Sequence, residues 1–284
     1  MQLEAQRGKV RPNAGMRDLA SIATRKSRHV TPNRDEAVSM IEEYRRQFPW
    51  RDWSRALSLC PVTQGQEILD LGCGVGDVSA MLAARGLRVI AIDRNPEFLA
   101  VARKRAFQSV QFEQQDLHQL ALPHEFDGLW CSFTAAYFVD FSTTFAQWCR
   151  FLKPTAWVCL IEIDDLLGHE PRSDRMRDCI EHFYKDSLEK QRYDFRAGRR
   201  LSNALEGQGF HVSATHLADR ELAFDGPASA EIREAWQARL SRMQGLKRFF
   251  GNDFAEFSNE FITVLESRKH RARCKVVCCV GWRD

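Results

Sequence analysis

The residues able to do chemistry gather between positions 68 and 133. In Ile68-Leu69-Asp70-Leu71-Gly72-Cys73-Gly74-Val75-Gly76 three glycines alternate, directly after a short apolar run and directly before a helical one. Glycine lets a chain turn tightly and lets a ligand approach the backbone. The helix that follows offers free N–H groups and the positive end of its dipole. A glycine loop is weak evidence by itself, but here it has the strand-turn-helix setting a nucleotide loop needs. Dinucleotide binding takes G-x-G-x-x-G, whose last glycine allows close helix–strand packing; three positions beyond Gly74 this chain has Asp77. A carboxylate at the mouth of the helix repels a pyrophosphate and tolerates a cationic ligand without phosphates.

Two further acids suit such a ligand. Asp93, followed by Arg94, closes the apolar run Leu87–Asp93, and Asp116, followed by Leu117, lies just past the run 110–113. A carboxylate at the first place can accept hydrogen bonds from both hydroxyls of a ribose, a charge-assisted pair. One at the second can accept from an adenine amino group. Singly, each reads equally well as a helix cap or a solvated loop acid. Together they fall at the carboxyl ends of successive strands, where open α/β sheets bind ligands. S-adenosylmethionine, a sulfonium nucleoside, has the matching chemistry, and S-adenosylhomocysteine is its product after methyl transfer.

The elements that must position these groups are legible as alternating runs. Strands are expected over 67–72, 87–93, 110–113, 126–131 and 156–163, then over 210–217 and 274–281. Helical spacing fills 78–85, stopped by Gly86, then about 96–107, capped by Asn95 with Pro96 in the first turn. Another helix starts at Ser142 and is ended by Pro154. Strands that alternate with helices imply right-handed crossovers and a parallel sheet covered on both faces. Helical insertions are expected at about 165–197 and 226–271. The second has Ile232, Trp236, Leu240, Met243 and Leu246 along one stripe, an amphipathic helix that packs on something. The expected fold is therefore α/β, a seven-stranded, mostly parallel sheet with a helical cap.

Composition bounds the class. The 284 residues are 44% apolar and 28% charged, which excludes a disordered or collagenous chain. No run approaches the length of a membrane span, and the first residues hold no apolar core flanked by a cleavage site, so a cytoplasmic protein is expected. Eight Lys/Arg stand against Glu4 and Asp18 in residues 1–34, which gives this segment a charge of +6 and leaves −3 on the rest of a chain whose net charge is +3. This segment is expected to be a solvated arm ahead of a domain over 35–284. Nine cysteines, an odd number with no C-x-x-C pair, read as reduced and buried. Alternation along a strand would point Cys278 and Cys279 to opposite faces, against a zinc site with Cys274.

On these motifs the chain resembles the class I S-adenosylmethionine-dependent methyltransferases, over about residues 65–165 by motif and to 284 by strand order. The family's acid and G-x-G-x-G fall on Asp70, Gly72, Gly74 and Gly76, with Cys73 between. The resemblance implies that this loop contacts the methionyl part of the cofactor, with Asp70 fixing the loop. The ribose acid falls on Asp93 and the adenine-side acid on Asp116. The motif after the fourth strand falls on Cys131-Ser132-Phe133, which would line the reactive centre. An antiparallel seventh strand is implied as well, with 274–281 in that place.

The same comparison of motifs narrows the acceptor. Enzymes of this family acting on nucleobase amines carry Pro-Pro after strand four, where this chain has Ser132-Phe133-Thr134-Ala135, and none of Cys131, Cys149 and Cys159 stands beside a proline as cytosine-C5 chemistry requires. No catechol-type metal set is spelled out, so no metal is expected. A small molecule is the expected acceptor, methylated on nitrogen or oxygen. Its pocket is expected to use Tyr137 together with Asp164 and His169, one of them as proton acceptor. Tyr44, Phe48, Trp50 and Trp53 would pack on the sheet or close over the cofactor, and Phe249 and Phe250 would form a second wall. The alternatives are an RNA-directed methyltransferase that uses the basic arm, a binding module without turnover, and a NAD-dependent oxidoreductase.

Overall fold

In the computed structural model, residues 34–105 and 107–283 are described; the basic segment lies outside them except for Arg34. Before the sheet come α1 (Arg34–Gln47) and α2 (Trp53–Ser58). The first part of the sheet follows as β1 (Glu67–Leu71), α3 (Asp77–Ala83), β2 (Arg88–Asp93), α4 (Pro96–Arg103), β3 (Val110–Gln114), β4 (Phe126–Ser132), α5 (Phe141–Trp148) and β5 (Leu152–Asp164). After these come β6 (His169–Glu170), α6 (Asp174–Glu189), α7 (Leu201–Glu206) and β7 (His211–Leu217). The chain finishes with α8 (Ala230–Arg242), α9 (Gln244–Phe250), α10 (Phe254–Glu266), β8 (Arg271–Ala272) and β9 (Lys275–Trp282).

The main sheet has seven strands in the order β3-β2-β1-β4-β5-β9-β7, and β9 alone runs antiparallel to its neighbours. This is the expected sheet. Its central strands β1, β4, β5 and β9 are buried on both faces, so their side chains sort by the period of two. Ile68, Trp130, Cys159, Ile161 and Cys278 enter one core, and Leu69, Leu71, Leu129, Cys131, Val158 and Cys279 enter the other. Cys278 and Cys279 thus do face opposite ways, and all nine cysteines are free.

Several boundaries differ from expectation for identifiable reasons. Helix α4 stops at Arg103, short of Phe107. Asp140, not Ser142, caps α5, its side chain accepting the Thr143 N–H. Pro154 sits inside β5 rather than ending a helix; it falls where the β4–β5 register is irregular, between the Leu152 and Trp157 pairings, so no ladder bond is lost. The stripe from Ile232 to Leu246 is buried as expected at Ile232, Trp236, Leu240 and Leu246. It lies on two helices, however, because the chain turns at Met243 (ψ 74°). Only 174–189 of the first insertion is helical, started by Ser173 accepting from the Met176 N–H. The two insertions are joined by the pairing of β6 with β8, a two-stranded sheet the sequence did not suggest.

Asp70 ties strand to helix. It is buried on β1, and Ser79 of α3 donates to its Oδ2 at 2.6 Å. Burial outweighs that hydrogen bond and pushes its pKa up to about 7. A carboxyl raised on folding contributes stability that is complete below its unfolded value, near 4, and is lost as pH climbs through about 7. The unfolding free energy of the native chain relative to Asp70→Asn should therefore fall between pH 5 and pH 8 in urea titrations; a constant difference would contradict the shift. A second expectation concerns close packing. A Cβ on Gly128 of β4 would meet the Trp157 ring at 2.5 Å. Gly128→Ala should destabilise by about 1–3 kcal/mol through overpacking, read from the urea midpoint, and a change under 0.5 kcal/mol would show that the ring yields.

Candidate active site

The glycine loop leaves β1 and enters α3 through three left-handed residues, Gly72 (φ 78°), Gly74 (φ 55°) and Gly76 (φ 80°). Only glycine takes this path without strain. Two of the three are also closed to a side chain by their neighbours. A Cβ on Gly72 would lie 2.1 Å from Thr134 Oγ1, and one on Gly76 would lie 2.9 Å from the Phe112 ring. Thr134 belongs to the loop after β4, so the two loops that border the cleft touch at Gly72.

The loop's own amides decide what it can hold. Gly72 and Cys73 N–H both donate to the Ile92 carbonyl (2.8 and 3.0 Å), and Gly76 N–H donates to Cys73 O (3.0 Å). Gly74 N–H donates to Asp93 Oδ2 (2.9 Å). With these four amides engaged, the cluster of open N–H donors that grips a pyrophosphate is not offered here. Asp77 in the first turn of α3 is paired with Arg105. The loop presents carboxylates and carbonyls, which fit the cationic, phosphate-free S-adenosylmethionine.

Asp93 ends β2 with both oxygens in use: Oδ1 accepts the Asn95 N–H (2.8 Å) while Oδ2 holds Gly74. Burial raises its pKa, against the pull of those amides. Each oxygen keeps a second lone pair, so the group can hold a pair of hydroxyls while bracing the loop. Next door, Gln115 N–H donates to the Asp93 carbonyl (3.3 Å), which sets the turn that follows β3. Asp116 in that turn is exposed, with its Oδ1 on the His118 N–H (3.0 Å). Leu117 is buried beside it, its carbonyl accepting from Trp148 Nε1 (2.8 Å). Arg94 is exposed, and its carbonyl accepts from Gln114 (3.2 Å).

After β4, Ser132 is half-buried and Phe133 takes a left-handed backbone (φ 53°), a strained choice for an aromatic residue. Its N–H donates to Ile161 O (2.8 Å), and Arg51 lies over its ring at 4.2 Å. The aromatic stretch ahead of the sheet divides. Trp53 packs inward against Trp130 and Phe133, whereas Tyr44 of α1 reaches the glycine loop, 3.9 Å from where a Gly74 Cβ would stand. Ile41 of α1 packs on Val75 and Phe98, so α1 rests directly on the loop.

Of the three acceptor-side residues expected from sequence, Tyr137 lies in the turn that follows β4. It is 37% exposed, and its ring meets Tyr193 edge-on with centroids 5.0 Å apart. Asp164 is instead ion-paired, Arg199 Nε donating to its Oδ1 at 2.5 Å. His169 requires the larger correction. It is fully buried in the cap between Phe224, Trp236 and Phe261. Its Nδ1 contacts His270 Nε2 at 2.9 Å, while His270 Nδ1 faces Gly226 O at 3.0 Å. A carbonyl only accepts, so His270 carries its proton on Nδ1 and His169 is the donor of the pair. Burial drives both imidazoles below their ordinary pKa, and a neutral, solvent-free histidine in an aromatic shell is a core residue. Phe249 and Phe250 likewise pack on Phe183 and Phe257 within the cap rather than forming a cleft wall.

Sequence reasoning missed Glu162. This carboxylate lies on β5, completely buried. Its Oε2 accepts the Ala136 N–H (3.0 Å) and its Oε1 the Ile163 N–H (2.8 Å). Burial outweighs these bonds and pushes its pKa up to about 7. The available signal was its place as the one charge in the apolar run 156–163. Tyr193 gave no such signal, because it lies in an irregular stretch of the first insertion.

Comparison with known proteins agrees with this geometry. A family model described as a methyltransferase domain matches residues 68–155, the stretch that carries the glycine loop and the acids. The chain is 31% identical over 128 residues to a ubiquinone biosynthesis O-methyltransferase of Dechloromonas aromatica, covering 43% of this chain and 52% of that protein. It is 36% identical over 95 residues to a malonyl-[acyl-carrier protein] O-methyltransferase of Serratia marcescens, covering 34% of this chain and 33% of that one. The chain thus spans about a third to a half of the curated relatives it matches. Phosphoethanolamine N-methyltransferase 2 of Haemonchus contortus, solved with S-adenosyl-L-methionine, superposes with a TM-score of 0.55 at 17% identity, covering 88% of this chain and 57% of that one. Residues 68–155 thus match a methyltransferase domain, and the sheet that contains them has the fold of the class I S-adenosylmethionine-dependent methyltransferases.

Proposed function

We propose that this protein transfers a methyl group from S-adenosylmethionine to a nitrogen or oxygen of a small molecule held between the strand tips and the cap. The observation that carries this is the glycine loop, whose amides are engaged within the protein and whose border is lined by Asp93 rather than by cations. S-adenosylmethionine is consumed as the methyl donor and supplies an electrophilic carbon on its sulfonium. Asp93 takes the ribose hydroxyls, Asp116 the adenine amino group, and Gly72 to Gly76 the methionyl arm, with Asp70 bracing the loop from below. Ser132 and Phe133 line the reacting end, where the strained Phe133 backbone is held by Ile161.

Methyl transfer needs alignment more than acid–base machinery, and the cleft supplies it from four directions. Helix α1 brings Tyr44, the turn after β4 brings Tyr137, β5 brings Glu162, and the first insertion brings Tyr193. Two of the relatives are named as a ubiquinone biosynthesis O-methyltransferase and a malonyl-[acyl-carrier protein] O-methyltransferase, which supports methyl transfer without choosing this chain's acceptor. An RNA-directed role for the basic arm rests on residues that lie outside those described. Among the described residues, no helix is long and apolar enough to cross a membrane.

Calorimetric titration with S-adenosylhomocysteine and with NAD tests the proposal. The native chain should bind the first and not the second. Asp93→Ala removes two charge-assisted ribose bonds and should weaken binding by at least tenfold, on the order of 1.5–3 kcal/mol for each bond to a charged group. Unchanged affinity, or saturable NAD binding, would overturn the assignment.

A further inference from the structure

The groups around Glu162 have charges that do not cancel locally. The arginines bordering this region each have a carboxylate of their own. Arg51 Nε donates to Asp219 (2.9 Å), Arg239 donates to Glu221 (2.9 and 3.0 Å), and Arg200 lies 2.5 Å from Asp194. Glu162 is different. Its oxygens rest on two backbone amides, and among the described residues no lysine or arginine head group pairs with it. An anionic acceptor would find its cations already engaged, and a neutral one would leave this buried carboxylate without a counter-charge.

Tyrosines surround the same place. Tyr137 follows Ala136, whose amide holds Glu162, and its ring meets Tyr193 at 5.0 Å and 84°. The Asp194 N–H donates to Ala136 O (2.8 Å), which fastens the Tyr193 loop to the Tyr137 turn. Tyr44 approaches from the glycine-loop side. None of the three tyrosines is wholly buried. Aromatic faces around a carboxylate attract an organic cation, through the ring quadrupole and the charge together.

We infer that the acceptor is an amine, received as its ammonium form in a cage of Tyr44, Tyr137 and Tyr193, with Glu162 as counter-charge and proton acceptor. This rests on the methyl-transfer proposal above and names its substrate class. The ammonium gives one proton to the Glu162 carboxylate. The freed nitrogen lone pair then forms the C–N bond as the sulfonium C–S bond breaks, the electron pair of that bond staying on sulfur. Burial pushes Glu162 up to about 7, so near neutral pH it can hold either charge state. The titratable and charged groups that face it are Cys131 on β4, Tyr137, Tyr193, Asp194 and Arg51.

The test uses the full chain saturated with S-adenosylhomocysteine, with phenyltrimethylammonium and its neutral isostere tert-butylbenzene as probes. Calorimetry at pH 8 should give the cation at least a tenfold advantage. That advantage should shrink about tenfold in Glu162→Gln, and also fall in Tyr193→Leu, while both variants keep their S-adenosylhomocysteine affinity. Cation affinity should rise from pH 6 to pH 8 in the native chain and stay flat in Glu162→Gln, which a merely structural role for Glu162 would not produce. Equal binding of the two probes, or an unaltered pH profile in Glu162→Gln, overturns the amine assignment and leaves methyl transfer standing. Failure of the native chain to bind S-adenosylhomocysteine overturns both.

Discussion

The hydrogen bond from the Gly74 amide to the Asp93 carboxylate links every other feature of the cleft. It joins the loop after β1 to the tip of β2, and it can form only because Gly72, Gly74 and Gly76 all take left-handed backbone. A side chain at Gly72 would collide with Thr134 and separate the β1 and β4 loops. The same carboxylate holds the Asn95 amide, so the start of α4 is anchored to the same two oxygens. One acid therefore sets the positions of three segments, and in the proposed binding mode its remaining lone pairs take the ribose. The electrostatic cost of burying it is visible in its raised pKa, and the backbone amides offset part of that cost.

A second set of charges ties the cap to the front of the domain. Glu43 on α1 contacts Arg239 and Arg242 of α8, and Gln47 donates to Glu43. Arg51 reaches Gln47 and Asp219, and the Trp236 indole donates to the Glu221 carbonyl. These groups are mostly buried, so their value lies in mutual satisfaction: removing one partner from such a set typically costs 3–5 kcal/mol, although the intact set adds little net stability. The consequence for the site is geometric. Helix α1 carries Tyr44 over the glycine loop and at the same time grips the cap, so the two sides of the proposed site share one helix.

The strand tips then divide the labour by chain position. In the proposed binding mode the acids near β2 and β3 serve a sugar and a base, while Glu162 on β5 faces the turn that follows β4. Asp93 and Glu162 are alike in accepting two backbone amides each, and both are held against the cost of burial by those bonds. They differ in surroundings: the first borders a glycine loop, the second a group of tyrosines.

The sequence alone carried the seven strands, their mostly parallel sheet and the glycine loop between β1 and α3, because each of those signals is local. Alternation in β1 and β2, the glycine triplet and the Asn95-Pro96 cap are set by backbone sterics and hydrogen bonding within a few residues of one another. The acceptor side was not legible, since its members come from α1, the β4 turn, β5 and an insertion, brought together only by packing. His169 illustrates this: at its place after β5 it reads as a proton acceptor, yet β6 pairs with β8 and draws it into an aromatic core beside His270, where burial keeps it neutral. Asp164 is likewise claimed by Arg199, a residue 35 positions away. Glu162, inconspicuous in an apolar strand, is a buried carboxylate with no paired lysine or arginine among the described residues. Which acid is neutralised and which is not depends on the partners that tertiary contact supplies, and no local pattern of residues contains that information.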